Sequence, residues 1–150
     1  MYLQEYLIPL LISNAVAILI LIAAFKAPRW ARWSIVLLFL WASFTNAYMA
    51  TTKPQVYLDY APMAIPLYRS FILGWFAEHV RVMVTLIAIG QLTIAVLMSL
   101  RGIWLNLGML GASIFLLAIA PLGVGSAFPF SLIMVAALYG LFRFYNKKQV

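Results

Sequence analysis

The densest group of ionisable residues in this sequence is Glu78, His79 and Arg81, within four consecutive positions. A carboxylate beside an imidazole can act as an acid–base pair, and with Asp59 these two side chains could hold a metal ion weakly. Glu78 and Arg81 are three residues apart, so a helix would place them on one face, where they can form an ion pair. The group predicts either a functional polar rim or a plain boundary between apolar and polar surroundings, and both interpretations stay open.

The remaining composition restricts the possible chemistry. The chain has three acidic residues, one histidine and no cysteine. A single imidazole cannot form a bis-histidine haem site, and the lack of thiols removes thiolate metal sites and iron–sulfur clusters. HExxH, GxSxG and P-loop motifs are missing. The sequence therefore assigns no catalytic residue, no metal ligand and no cofactor. It favours a protein that is not an enzyme, with acid–base chemistry at Glu78, His79 and Arg81 as an alternative.

Two further polar residues lie on either side of this group. Arg69 comes nine residues before Glu78, so a straight helix would point it the opposite way, and it reaches the group only if the chain bends. Gly74 is the candidate position for such a bend. Gln91 follows inside an apolar stretch. The candidate ligand-binding residues are Arg69, Glu78, His79, Arg81 and Gln91.

The elements that must position these residues are apolar. The chain is 67% hydrophobic and 9% charged, with a mean hydropathy of +1.06, whereas soluble domains carry about 25% charged residues. Short basic or Pro/Gly-rich breaks separate five runs, most of them near the length of about 20 residues that crosses a bilayer. The sequence predicts an all-α integral membrane protein, a bundle of five transmembrane helices forming one domain over residues 1–150. The predicted helices are 6–25, 34–51, 78–100, 103–121 and 129–145.

The stretch 67–100 is too long for one crossing. As a single helix it would measure about 51 Å, against a hydrocarbon core of about 30 Å. We therefore predict a short amphipathic or interfacial segment at 67–77 before the third crossing. The alternative is that 67–77 is a helical extension of that crossing above the membrane.

The basic residues predict the orientation. With the N-terminus outside, seven of the ten Lys and Arg residues fall on the cytoplasmic side, and three fall outside with all three acidic residues. This division fits the positive-inside rule, so the C-terminus is expected in the cytoplasm, Gln149 inside and Ser126 outside. The net charge of +7 is explained by helix orientation and by contact with anionic membrane lipids, and no nucleic acid partner is expected.

Polar residues inside the apolar runs have two interpretations. Amides and hydroxyls in lipid bond to neighbouring helices, and this packing role is the favoured one. The other interpretation is a buried pocket or a substrate path. Gly108 and Ala112 are small residues at four-residue spacing, which favours close approach of helices. The polar residues are Ser13, Asn14, Ser43, Thr45, Asn46, Thr85, Gln91, Thr93, Asn106 and Ser113.

The last 80 residues or so resemble DoxX-like small bacterial membrane proteins. The resemblance lies in Trp75-Phe76-Ala77-Glu78, in Gly90-Gln91, in the Arg101-Gly102 turn and in the corner at 118–123. It implies a compact helical bundle in the bacterial inner membrane. Because family members include subunits associated with quinone-linked oxidoreductases, it also implies an accessory membrane subunit, with no catalytic role for Glu78 or the turn.

The expected function is that of a non-enzymatic accessory subunit or scaffold of a membrane complex. Its partners would be membrane lipids and either protein partner subunits or further copies of the chain. The alternative is a protein that binds or transports a small apolar or amphipathic molecule, such as a lipid or a quinone. Such a molecule would pass through the outer polar mouth at Glu78, His79 and Arg81.

Overall fold

The structure is a computed structural model, and it describes residues 2–147. In this part of the chain six α-helices are joined by short turns and 3₁₀ segments, and no strand occurs. The helices are α1 (Tyr2–Lys26), α2 (Pro28–Thr52), α3 (Pro66–Phe71), α4 (Ala77–Ser99), α5 (Ile103–Ile119) and α6 (Phe130–Asn146). The 3₁₀ segments are Pro54–Met63 and Ala120–Ser126, and a π-helical turn, Ile72–Phe76, joins α3 to α4.

Four helical stretches are long and apolar enough to cross a membrane, which fits an integral membrane protein. They are Gln4–Lys26, Pro28–Thr52, Pro66–Ser99 and Ile103–Ser126. Large apolar side chains stay exposed on their outer faces, among them Leu19, Trp41 and Phe44. Such a surface is costly in water but suits a hydrocarbon environment.

The second helix begins earlier than the apolar pattern predicts. The expected start was residue 34, but α2 begins at Pro28. Proline has no N–H to lose in the first turn and its fixed φ suits a helix start, so the basic and aromatic stretch 29–33 is helical rather than a loop. As a consequence, Arg29 and Arg32 lie about one turn apart on α2.

The five longer helices form a closed ring around an apolar core. In order around the ring, α1 packs on α2, α2 on α4, α4 on α5, α5 on α6, and α6 on α1. Gly108 lets α5 approach α4 closely, because a Cβ built there would lie 2.8 Å from Cγ and from the backbone N of Met98. The core side chains include Ile35, Met98, Met134 and Leu138.

One end of the ring is covered by a layer that we call the capping layer, made of Pro54–Met63, α3 and Ala120–Ser126. Ile65 N donates to Pro121 O at 3.1 Å and joins two parts of this layer. Gly123 has φ +66, and a Cβ there would lie 2.6 Å from Met63 O, so glycine is required. The opposite end, which we call the basic end, contains the α1–α2 turn, the α4–α5 turn and the last residues of α6.

The chain bends between α3 and α4, as predicted from Gly74. This residue has φ −98 and ψ −111, and His79 also leaves helical geometry with φ −123 and ψ 18. The two irregular residues flank the segment that carries Glu78, so side-chain directions there do not follow a regular helix.

Candidate functional site

The predicted group at Glu78, His79 and Arg81 lies beside the capping layer, in an open groove. These residues and the segment 77–82 line a cleft of about 310 Å³ together with Pro54 and Gln55. All three side chains are exposed. A cleft this open gives water access to every charged group, so the electrostatic interactions in it are weak.

The expected ion pair between Glu78 and Arg81 is not formed, and that prediction is wrong. No hydrogen bond or ion pair joins the two side chains, although both residues belong to the described part of the chain. The physical reason is His79, whose φ and ψ interrupt the helix between them. The three-residue spacing brings side chains together only where the intervening turn is regular.

His79 is held by its neighbours along the chain. Its Nδ1 lies 2.8 Å from Trp75 O, and its ring stacks on Trp75 with centroids 4.4 Å apart. Phe71, four residues before Trp75, also stacks on the Trp75 ring, with the two ring centroids 5.9 Å apart. The imidazole is therefore one step in an aromatic ladder made of Phe71, Trp75 and His79 rather than the partner of a carboxylate.

Arg69 does not join the group, even though the chain bends at Gly74. Its Nε donates to Ala61 O and its Nη2 to Pro62 O, both at 3.1 Å. These two carbonyls lie near the end of the 3₁₀ segment Pro54–Met63, and Ala61 O also accepts the N–H of Ala64 at 3.3 Å. Arg69 thus ties α3 to the 3₁₀ segment Pro54–Met63 within the capping layer.

Gln91 lies inside the ring, away from the groove, and is only 4% exposed. Its Oε1 accepts a hydrogen bond from Asn46 Nδ2 at 2.7 Å, and Asn46 Oδ1 accepts one from the hydroxyl of Tyr57. These three residues form a polar chain, the Tyr57–Asn46–Gln91 chain, from the capping layer to the space between α2 and α4. Close by, the Ser43 hydroxyl donates to Ala88 O at 2.6 Å.

Two tyrosines of the capping layer have perturbed acidity. Burial raises the pKa of the Tyr57 hydroxyl from 10.0 to about 12, and Tyr60 adds to the shift. Burial also raises the pKa of Tyr60, with smaller contributions from Tyr6 and Asp59. Both hydroxyls are therefore neutral hydrogen-bond donors at physiological pH.

Other amides in the apolar runs also bond within the chain. Asn14 Nδ2 donates to Leu10 O at 2.9 Å and to Ala127 O at 3.0 Å, which fixes the start of α6 against α1. Asn106 and Asn146 exchange two hydrogen bonds of 3.0 Å between their side chains and join α5 to α6. These contacts agree with the packing interpretation of the buried polar residues.

A second cleft lies at the basic end, where the sequence predicts no site. It has a volume of about 610 Å³ and is lined by Arg29, Arg32 and Arg101 with the turn residues that follow α4. The remaining lining residues are Trp33, Ser99, Gly102, Leu105, Asn106, Tyr145 and Asn146. We call this space the arginine cavity.

Arg32 is the most constrained side chain of the arginine cavity. It is only 8% exposed. Its Nε donates to Met98 O at 2.8 Å and its Nη2 to Leu100 O, two carbonyls at the end of α4. The guanidinium lies 5.4 Å from the ring centre of Trp33 and 5.3 Å from that of Tyr145. No ion pair to a carboxylate is formed by Arg32 within residues 2–147.

The arginine cavity was missed because its residues were interpreted only as topology signals. Arg29 and Arg32 fall in a predicted loop, and Arg101 falls in a separate turn far along the chain. The available signal was Pro28, which marks a helix start and so places both α2 arginines on helical turns.

In residues 2–147, no three His, Cys, Asp or Glu side chains lie close enough together to hold a metal ion. Comparison of the chain with protein-family models, with curated proteins and with solved structures finds no match. The DoxX-like resemblance stays a prediction.

Proposed function

We propose that this chain is a non-enzymatic accessory subunit or scaffold of a membrane complex. One observation carries the proposal: among the described residues, the buried polar side-chain atoms are bonded to one another or to backbone groups of the same chain, apart from the Ser131 hydroxyl and Oδ1 of Asn14. The Tyr57–Asn46–Gln91 chain is the clearest case. A transport path or a catalytic centre needs polar groups that exchange partners with a ligand. Groups committed to internal bonds instead give the bundle a fixed shape, as a scaffold requires.

Five crossings are part of this proposal, with α6 as the fifth. This helix has 17 residues, which measure about 25 Å, a few Å less than the hydrocarbon core. Its packing against α1 and α5 supports a crossing, and so does the position of Tyr145 and Asn146 in the arginine cavity. Arg143 and Lys147 can extend to the headgroup level and make up the missing length.

The distribution of charge along the helices supports an N-terminus outside. At the basic end the described residues include six cationic side chains, whereas the other helix ends have three, together with every acidic residue. The six are Lys26, Arg29, Arg32, Arg101, Arg143 and Lys147. Lys148 and Gln149, which were also expected inside, lie outside the described residues.

This orientation can be tested with single cysteines, because the chain has none of its own. Gln55 is exposed in the capping layer, so Gln55→Cys should react with an impermeant maleimide in intact cells. Gln149→Cys should react only after the cells are permeabilised. Labelling of the second position but not the first in intact cells would reverse the proposed orientation.

The amphipathic segment predicted at 67–77 would consist of α3 and the turn that follows it. The aromatic ladder of Phe71, Trp75 and His79 is exposed on one side of this segment, and Leu67 is 74% exposed. Aromatic side chains favour the membrane–water interface, where one end of the ring meets lipid and the other meets water. We propose that this segment lies at the outer interface.

The scaffold role is tested by native mass spectrometry of gently extracted protein. We expect an assembly heavier than the 16.9 kDa of one chain, with either a partner chain or a second copy. Asn46→Leu breaks the Tyr57–Asn46–Gln91 chain at a half-buried position. Because it leaves the exposed helix faces unchanged, it should lower the stability of the chain but keep the assembly. A wild-type protein found only as a single chain would contradict the scaffold role.

Binding of an amphipathic molecule is the second candidate function, and the arginine cavity favours it. The groove at Glu78, His79 and Arg81, through which such a molecule was expected to pass, is shallow, and Gln91 does not line it. A cavity twice that volume lies at the opposite end of the ring.

A further inference from the structure

We propose that the arginine cavity binds a phosphate group, held by Arg29, Arg32 and Arg101. The three side chains converge on one space of about 610 Å³. All three acidic residues belong to the other end of the bundle, since Glu5 is in the first turn of α1, Asp59 is in the capping layer and Glu78 is in the first turn of α4. No carboxylate therefore balances the positive charge at this end, and the cavity attracts anions. This inference does not depend on the scaffold role.

Arg32 is already arranged to receive an anion. Two carbonyls of the α4 terminus and two aromatic rings fix its guanidinium. A guanidinium has five N–H donors, and these two hydrogen bonds use two of them, which leaves three without a hydrogen bond to the described residues. A donor group whose geometry is fixed before binding loses little entropy when a planar, bidentate contact with phosphate forms.

The cavity wall adds further positive potential. Gly102 and Leu105 line it, so the N-terminal turn of α5 borders the space. The first N–H groups of a helix have no intrahelical acceptor and carry a partial positive charge. Arg29 and Arg101 are exposed at the rim, where they can close on a bound anion. Asn106 is held by Asn146, so its amide gives the wall a fixed shape.

The cavity has room for more than a phosphate. A water molecule occupies about 30 Å³ in the liquid, so the cavity volume corresponds to that of roughly 20 waters. Trp30 and Trp104, both exposed, lie next to the cavity-lining turns, and tryptophan marks the headgroup level of a membrane. The location favours the phosphate of an anionic lipid headgroup, and a free phosphate ion is the other source of the same chemistry.

Lipid binding can be measured by native mass spectrometry of detergent-solubilised protein titrated with phosphatidylglycerol, with phosphatidylcholine as the zwitterionic comparison. The double variant Arg29→Gln/Arg101→Gln removes the two rim charges and leaves Arg32 to hold the end of α4. Its control, Lys26→Gln/Arg143→Gln, makes the same change of net charge at the same end of the bundle, but neither residue lines the cavity.

We expect phosphatidylglycerol to bind more tightly than phosphatidylcholine, and the Arg29/Arg101 variant to lose at least tenfold in affinity, which corresponds to about 1.4 kcal/mol. The control should change by less than threefold. Inorganic phosphate, added in place of the lipid, separates the two sources. Arginine-dependent binding of the lipid alone assigns a headgroup site, and arginine-dependent binding of phosphate itself assigns a free anion.

Two results would overturn the inference. One is an equal loss in both double variants, which would mean that the basic surface attracts anions without a site. The other is the same affinity for the anionic and the zwitterionic lipid, with no arginine-dependent binding of phosphate. Arg32→Gln serves as an additional variant only if its circular dichroism spectrum is that of the wild type, because Arg32 also stabilises the end of α4.

Discussion

Replacing Asn46 by leucine is the most direct test of whether the polar residues of the bundle serve packing. Asn46 donates to Gln91 and accepts from Tyr57, so one substitution removes both hydrogen bonds of the Tyr57–Asn46–Gln91 chain. Gln91 is 4% exposed and would keep an amide oxygen without its donor. Tyr57 would lose the acceptor of its hydroxyl.

The magnitude follows from these two losses. Hydrogen bonds between membrane helices contribute about 0.6 kcal/mol each on average, which gives about 1.2 kcal/mol for the two. A buried polar group left without a partner costs a further 1 to 3 kcal/mol or so. We expect Asn46→Leu to lower the free energy of unfolding by about 2 to 4 kcal/mol. Adding Gln91→Leu removes the orphaned amide, so the double variant should lose less than the sum of the single losses.

The measurement is reversible unfolding by sodium dodecyl sulfate in mixed micelles, followed by circular dichroism. Thr93→Val is the matched control, because Thr93 is exposed and its hydroxyl bonds only to Ile89 O of its own helix, at 2.9 Å. Its effect should stay within about 0.5 kcal/mol. Additive losses in the Asn46 and Gln91 cycle would refute the coupling. A variant that keeps its stability but loses a bound partner would refute the packing role.

Three further outcomes are expected, each measured by the same unfolding assay. Gly108→Ala should destabilise by about 1 to 3 kcal/mol, because the new methyl group meets the α4 backbone; Gly90→Ala, with no atom within 4 Å of its Cβ, should be neutral or stabilising. Burial raises the pKa of Tyr57 from 10.0 to about 12 in the folded protein. The stability that its neutral hydroxyl contributes should therefore be complete below pH 10 and lost as the pH rises through about 12, and Tyr57→Phe should remove this pH dependence. The Ser131 hydroxyl is buried without a hydrogen-bond partner among the described residues, so Ser131→Ala should cost nothing.

The helices were predictable because lipid imposes a strong local requirement. Every backbone group in the hydrocarbon must be satisfied within the segment, so long apolar runs become helices whatever their neighbours are. The breaks near Lys26 and at Arg101-Gly102 accordingly match the ends of α1 and α4. The main error, the late start predicted for α2, came from treating charged and aromatic residues as a loop, although Pro28 favours a helix start there.

The partners of the polar residues could not be predicted in the same way. Asn46 and Gln91 are 45 positions apart, and their contact exists only because α2 and α4 are neighbours in the ring. The sequence indicated that each amide needs a partner but gave no means of choosing it. At Glu78 and Arg81 the sequence instead predicts a contact that does not form. Their three-residue spacing favours an ion pair on a regular helix, but the non-helical φ and ψ of His79 interrupt the helix between them.

The arginine cavity could not be predicted for the same reason, because Arg29 and Arg32 are far from Arg101 in the sequence. Its position shows that basic residues in membrane proteins can have roles other than setting the orientation of the helices. The positive-inside rule counts Lys and Arg near helix ends without asking what each one contacts. Lys26 and Arg143 need no further explanation, because they do not line the cavity. Arg32 differs, because it is 8% exposed and bonded to the end of another helix. A charge used only for orientation can stay in water, where it is cheapest. The hydrogen bonds of Arg32 to the end of α4 account for its burial. The two further arginines that line the same cavity are what the proposed anion explains.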